Sequence, residues 1–104
     1  MKILVSTWKN SQQNILTGAG YGIRISKFDF NKIKNWKQIR FDKVNSVLHR
    51  GRKRFTIECP EIRSVLIGRF LIMNKLNKWR FRKPFTLSLT LINSKFGIWK
   101  LKLE

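Results

Sequence analysis

Cysteine, histidine and acid are nearly missing from this chain. Among 104 residues there is one Cys, one His and five Asp or Glu. The lone Cys59 excludes an internal disulfide framework and suits a reducing compartment, so a cytoplasmic protein is the expectation. One His, one Cys and five dispersed carboxylates supply neither a side-chain zinc site of ordinary ligand spacing nor a nucleophilic triad. No catalytic residue, metal or cofactor is therefore assigned. Long apolar runs are missing too. The longest, from Val65 to Met73, carries Arg69 at its middle and falls well short of the roughly 18 residues a membrane-spanning helix needs. The N-terminal MKILVSTWKN lacks the hydrophobic region and cleavage site of a secretory signal and reads as a first strand.

What is abundant is positive charge. Lys and Arg number 23, for a formal net charge of +18. Codon bias accounts for a high Lys count alongside many Asn, Ile and Phe, but not for nine Arg or for only three Glu. Charge of this density repels itself, and nearby anions relieve the repulsion.

Apolar residues make up 42% of the chain and are spread along its length, so residues 1–104 are expected to form a single basic α+β domain. Lys2 to Trp8 has strand composition, and Tyr21, Ile23 and Ile25 alternate with smaller or polar residues as in a half-buried strand. The GAGYG run between them, Gly18 to Gly22, lacks the GxGxxG spacing and leads into a strand, so it reads as a turn or bulge. Its GlyTyrGlyIle overlaps part of an RNA-recognition RNP1 pattern but lacks the preceding cation and the later aromatics. Asp29 or Asn31 caps a short helical turn towards Trp36, and Ile39 with Phe41 suggests another strand.

Ser46–His49 and Arg54–Glu58 read as a β-hairpin whose tip, Arg50 to Lys53, turns at Gly51. Pro60 opens the one long helix, about 60–76, with Ile62, Val65, Leu66, Phe70, Met73 and Leu76 on one face and Gly68 permitting a close approach. A second hairpin pairs Phe85–Ile92 with Phe96–Leu103 and sets Leu89 opposite Trp99, Leu87 opposite Leu101 and Phe85 opposite Leu103. The expected architecture is an antiparallel β-sheet or part-closed barrel of about five to seven strands packed around that helix. The second hairpin's edge would offer a route to a homo-dimer.

Two stretches carry candidate chemistry. In residues 75 to 84, Lys75, Lys78, Arg80, Arg82 and Lys83 surround Trp79 and Phe81, the pattern by which cations hold phosphates while rings stack on bases. The hairpin tip adds Arg50, Arg52, Lys53 and Arg54, with His49 beside them. The structural alternative is that Trp79 and Phe81 plug the core edge and the cations are merely solvated. The preferred expectation is a polyanion-binding module for RNA or single-stranded nucleic acid. Two rivals are a small metal-free, toxin-like ribonuclease using Lys and Arg side chains with Tyr21 and His49, and a basic subunit that docks on an acidic protein. Cys59 reads as a buried, inert thiol ahead of the helix.

Three strings, TyrGlyIleArgIleSer at 21–26, ProGluIleArgSer with the following IleGlyArgPheLeu within 60–71, and TrpArgPheArgLysPro at 79–84, resemble a family of small bacterial proteins of unassigned function. The resemblance implies no ligand, partner or catalytic residue. It gives Arg63 and Gly68 roles in packing.

Overall fold

Alternation of apolar and polar residues produces most of the strands in the computed structural model, which describes residues 1–104. In β1 (Lys2–Lys9), Ile3, Val5 and Thr7 are buried while Lys2 and Leu4 face out. In β2 (Tyr21–Ile25), Tyr21, Ile23 and Ile25 are buried and Arg24 is exposed. A four-residue α1 (Phe30–Ile33) begins at Asp29, which makes no side-chain cap. β3 (Gln38–Phe41) turns through Asp42 and Lys43 into β4 (Val44–His49). After an eleven-residue loop come β5 (Glu61–Arg63) and α2 (Val65–Met73), and the chain ends with β6 (Thr86–Asn93) and β7 (Ile98–Leu103).

The seven strands form one curled sheet in the order β4-β3-β7-β6-β1-β2-β5. Every neighbouring pair is antiparallel except β3 with β7, which is parallel and makes the sheet mixed. The odd-numbered strands therefore all run one way and the even-numbered ones the other. We call the end where β2, β4 and β6 begin the upper rim, and the end where they finish the lower rim. Nineteen buried apolar residues form one continuous core on the concave face, among them Ile23, Ile39, Leu89 and Leu101. No helix is long and apolar enough to cross a membrane.

α2 lies in the concavity and buries Ile67, Phe70 and Leu71, with Phe70 5.4 Å from Phe41 between ring centroids. It is shorter than the 60–76 that helical periodicity suggests. Residues 61–63 pair instead with β2, Ile62 opposite Ile23, and the Pro60 carbonyl accepts from the Ile25 N–H. Ser64 then caps the helix, its hydroxyl accepting from the Leu66 N–H at 3.1 Å. At the far end the Asn74 side chain donates to the Phe70 carbonyl, and Lys75 takes φ 58°, which stops the helix.

Three further expectations need correction. Residues 54–58 form no strand, so there is no hairpin around Gly51; β4 already pairs with β3 through the Asp42–Lys43 turn. The last hairpin exists, but its register is moved by two residues, with Leu91 opposite Trp99, Leu89 opposite Leu101 and Leu87 opposite Leu103. A four-residue turn ending at Gly97 and an irregularity at Leu91–Asn93 absorb the difference. An even shift keeps every side chain on its face, so the apolar face survives. Finally, β6 and β7 are interior strands. The free edges belong to β4 and β5, which removes the expected dimer edge.

The tightest packing in the molecule joins α2 to the loop after β1. A Cβ on Gly68 would lie 1.9 Å from the Gly18 carbonyl oxygen, and one on Gly18 would lie 2.6 Å from that of Val65. Because the obstacle is backbone, the helix and the Gly18 loop would have to move apart. Gly68→Ala is expected to lower unfolding free energy by about 3 kcal/mol, the upper end of overpacking costs. Gly51→Ala, at φ 57° with open space around it, is expected to cost only about 1 kcal/mol of left-handed strain. Urea denaturation midpoints of the two variants check the difference.

Candidate functional site

Between α2 and β6 the chain crosses the upper rim, carrying residues 75–83. Asn77 is buried and anchors the stretch, while Trp79 is half-buried. Trp79 meets Phe85 edge-on at 6.5 Å, and the Lys9 ammonium sits 4.1 Å from the centroid of its indole. One indole face is thus occupied by a cation. Phe81 is different: it is 84% exposed. The turn that presents it is closed by the Lys83 N–H donating to the Arg80 carbonyl at 2.9 Å, with Arg82 at φ 61°. A left-handed Arg costs backbone energy, of order 1 kcal/mol. That conformation brings the Arg82 guanidinium to 5.0 Å from the Phe81 ring. Lys75, Lys78, Arg80, Arg82 and Lys83 are all exposed and none faces a carboxylate.

The second candidate cluster lies on the lower rim. The Arg50 N–H donates to the Lys37 carbonyl at 3.0 Å, which ties the start of the 50–60 loop to the start of β3. The Arg50 guanidinium donates to the carbonyls of Lys34 and Trp36, the latter at 3.2 Å, and lies over the Trp36 ring at 5.6 Å. It is a tie between two connections, so its donors are committed within the fold. Arg52, Lys53 and Arg54 remain exposed. Lys53 and Arg54 line a depression of about 210 Å³ with Cys59, Glu61 and Arg63. The two Arg-rich stretches therefore do not merge into one surface; they lie at opposite ends of the strands.

Sequence reasoning missed what accompanies 52–54. The β2–α1 turn brings Lys27 and Phe28 to the same rim, and the approach to β3 brings Lys34 and Lys37. The β6–β7 turn adds Lys95 and Phe96, and its Gly97 carbonyl accepts from the Lys37 and Gln38 N–H groups. Phe28 is 95% exposed and Phe96 is 59% exposed, with the Lys95 ammonium 5.4 Å from the Phe96 ring. The available signal was local: a Lys-Phe pair inside a turn, at 27–28 and again at 95–96.

Between the rims, the outer face of the sheet is partly charge-compensated, with Arg40 and Lys102 facing no carboxylate. Glu61 is buried between Arg24 at 3.5 Å and Arg63 at 3.4 Å. Asp42 reaches Lys100 at 3.6 Å, and Glu104 reaches Lys2 at 3.1 Å. A depression of about 650 Å³ on this face is lined by Ser6, Arg24, Ser26, Lys27, Glu58 and Thr86 among others. Its Arg24 already faces Glu61, and Glu58 adds negative charge, so it is a poor anion site.

The ribonuclease rival loses its residue pair. Tyr21 is buried at the upper start of β2, whereas His49 is exposed at the lower end of β4. Cys59 is half-buried rather than buried, and it precedes strand β5 instead of a helix N-terminus.

Arg50 and Arg52 make opposite predictions although two residues apart. Arg50→Ala removes bonds to two carbonyls and is expected to cost about 2 kcal/mol of stability. Arg52→Ala is expected to change stability by no more than about 0.5 kcal/mol. Thermal melts of the two variants distinguish a structural cation from a free one.

Comparison with protein-family models, curated proteins and solved structures returns no match to this chain, so the candidate residues rest on its own geometry.

Proposed function

We propose that this protein is a polyanion-binding module whose ligand is RNA or single-stranded nucleic acid, held at the upper rim by residues 75–83. The observation that carries the reading is Phe81, a ring left in water inside a strained turn of cations. A phenyl ring left in water gains nothing on folding, while a base stacked on it would supply about 1–3 kcal/mol. Arg80, Arg82 and Lys83 on the same turn, with Lys75 and Lys78 before it, supply phosphate partners. Trp79 acts as the wall that fixes the turn rather than as the stacking surface, because Lys9 covers one of its faces.

A single strand fits better than a duplex. Helical groove reading needs a cationic outer face, and α2 carries only Arg69, whose guanidinium donates to the Thr17 carbonyl at 3.2 Å. The docking-subunit alternative uses the same cations but gives the ring no partner.

Binding of a fluorescent oligouridylate, followed by anisotropy, tests the reading. If the five cations of the segment each meet a phosphate, the slope of log affinity against log salt is expected near about −3.5, or about a hundredfold loss for a fourfold rise in salt. Phe81→Ala is expected to weaken binding by about tenfold or more without changing that slope. Arg80→Ala with Arg82→Ala is expected to reduce the slope by about 1.4. Affinity that is flat in salt, or unaffected by loss of Phe81, overturns the proposal. Co-purification with an acidic protein in place of nucleic acid points to the docking subunit instead.

A further inference from the structure

We infer that the lower rim is a second, independent site for single-stranded nucleic acid, so that one chain bridges two strands. The inference rests on the proposed ligand class but concerns a different surface.

Three connections of the sheet end on this rim and each brings cations: the β2–β3 connection, the 50–60 loop and the β6–β7 turn. They share few carboxylates. Asp29 is held by Lys32 at 2.9 Å, and Glu58 is the other. The rim repeats the chemistry of the upper one, with exposed rings flanked by cations, although the two share no sequence pattern. Phe28 and Phe96 stand in separate turns, and neither packs on the core.

Distance makes the rims separate sites. β6 runs between them over eight residues, about 26 Å at about 3.3 Å per residue. This exceeds the screening length of about 8 Å at physiological salt, so anions gathered at one rim leave the other unneutralised. On the outer face between them Arg24 and Arg63 share Glu61, Lys100 faces Asp42 and Lys2 faces Glu104, so less unpaired charge stands there than at either rim. A short strand bound above therefore neither reaches nor satisfies the rim below.

The test counts strands. A tetrauridylate, about 14 Å when stacked at about 3.4 Å per nucleotide, is titrated into the protein at low salt and the stoichiometry is read by calorimetry and native mass spectrometry. Two strands per chain are expected. F28A with F96A is expected to leave one, F81A with R82A is expected to leave one, and the combined variant none. In a mixture of donor- and acceptor-labelled oligouridylates, wild-type protein is expected to produce energy transfer that either pair of substitutions abolishes. A single strand per chain, lost on F81A/R82A and insensitive to F28A/F96A, overturns the bridge while leaving the upper site standing. Binding of no strand removes the proposed function itself, and the bridge with it. A lower rim that ignores the second strand but binds phosphatidylserine vesicles through Phe28 and Phe96 also overturns it, in favour of a membrane surface.

Discussion

The curled sheet has an apolar concave face and two free edge strands, and something must span the gap between them. α2 does so. It leaves β5 at Ser64, crosses the concavity and comes close to β4. The crossing is possible because Gly68 rests directly on the Gly18 carbonyl, which lets the helix sink to the depth at which Ile67, Phe70 and Leu71 complete the core. The rest of the architecture follows from that contact. With the helix in place, the chain must return from the β4 side to the start of β6 over the upper rim, and that return is the segment bearing Trp79 and Phe81. The 50–60 loop makes the corresponding link between the two edge strands below, with Phe55 packed in the core against Phe30 at 4.9 Å.

The way α2 and the connections bridge the open, curled sheet thus decides where the cations go. A sheet places cross-strand neighbours about 5 Å apart, and like charges directly opposite destabilise it. Arg40 is paired with Lys100 across β3 and β7, and Arg24 lies opposite Glu61 across β2 and β5. Of the five acids, Asp42, Glu61 and Glu104 answer charges on this outer face. Loops can splay like charges into water at less cost, and most of the uncompensated surplus is found there.

Much of this was legible in the sequence where period two is unambiguous. β1, β2, β6 and β7 show clean alternation, and even the misplaced register of the last hairpin keeps the correct residues inside because it slips by two. Gly68 was readable as a point of close approach, although only the structure shows that a loop, not a strand, meets it. β5 was not readable. Ile62, Val65 and Leu66 fit a helical stripe as well as a strand followed by a helix, and the choice is made by pairing with β2, a contact of residues some forty positions apart. The 54–58 segment has strand-like composition, yet β4 finds its partner in β3 and leaves it none.

The candidate site shows the same limit in another form. Residues 75–83 are consecutive, so their interleaving of rings and cations is visible in the chain. The lower rim is assembled from turns near 27, 53 and 95, which no local window contains. What brings them together is strand direction: β2, β4 and β6 all run downward, so the connections that follow them emerge at one end. Direction also explains why the two Arg-rich stretches cannot share a surface. The first follows β4, which runs down, and the second precedes β6, which starts at the top. For a polyanion ligand the consequence is geometric. The molecule presents two separated positive ends with a partly compensated belt between them, so a polyanion at either end would face more unpaired cations than one lying across the belt.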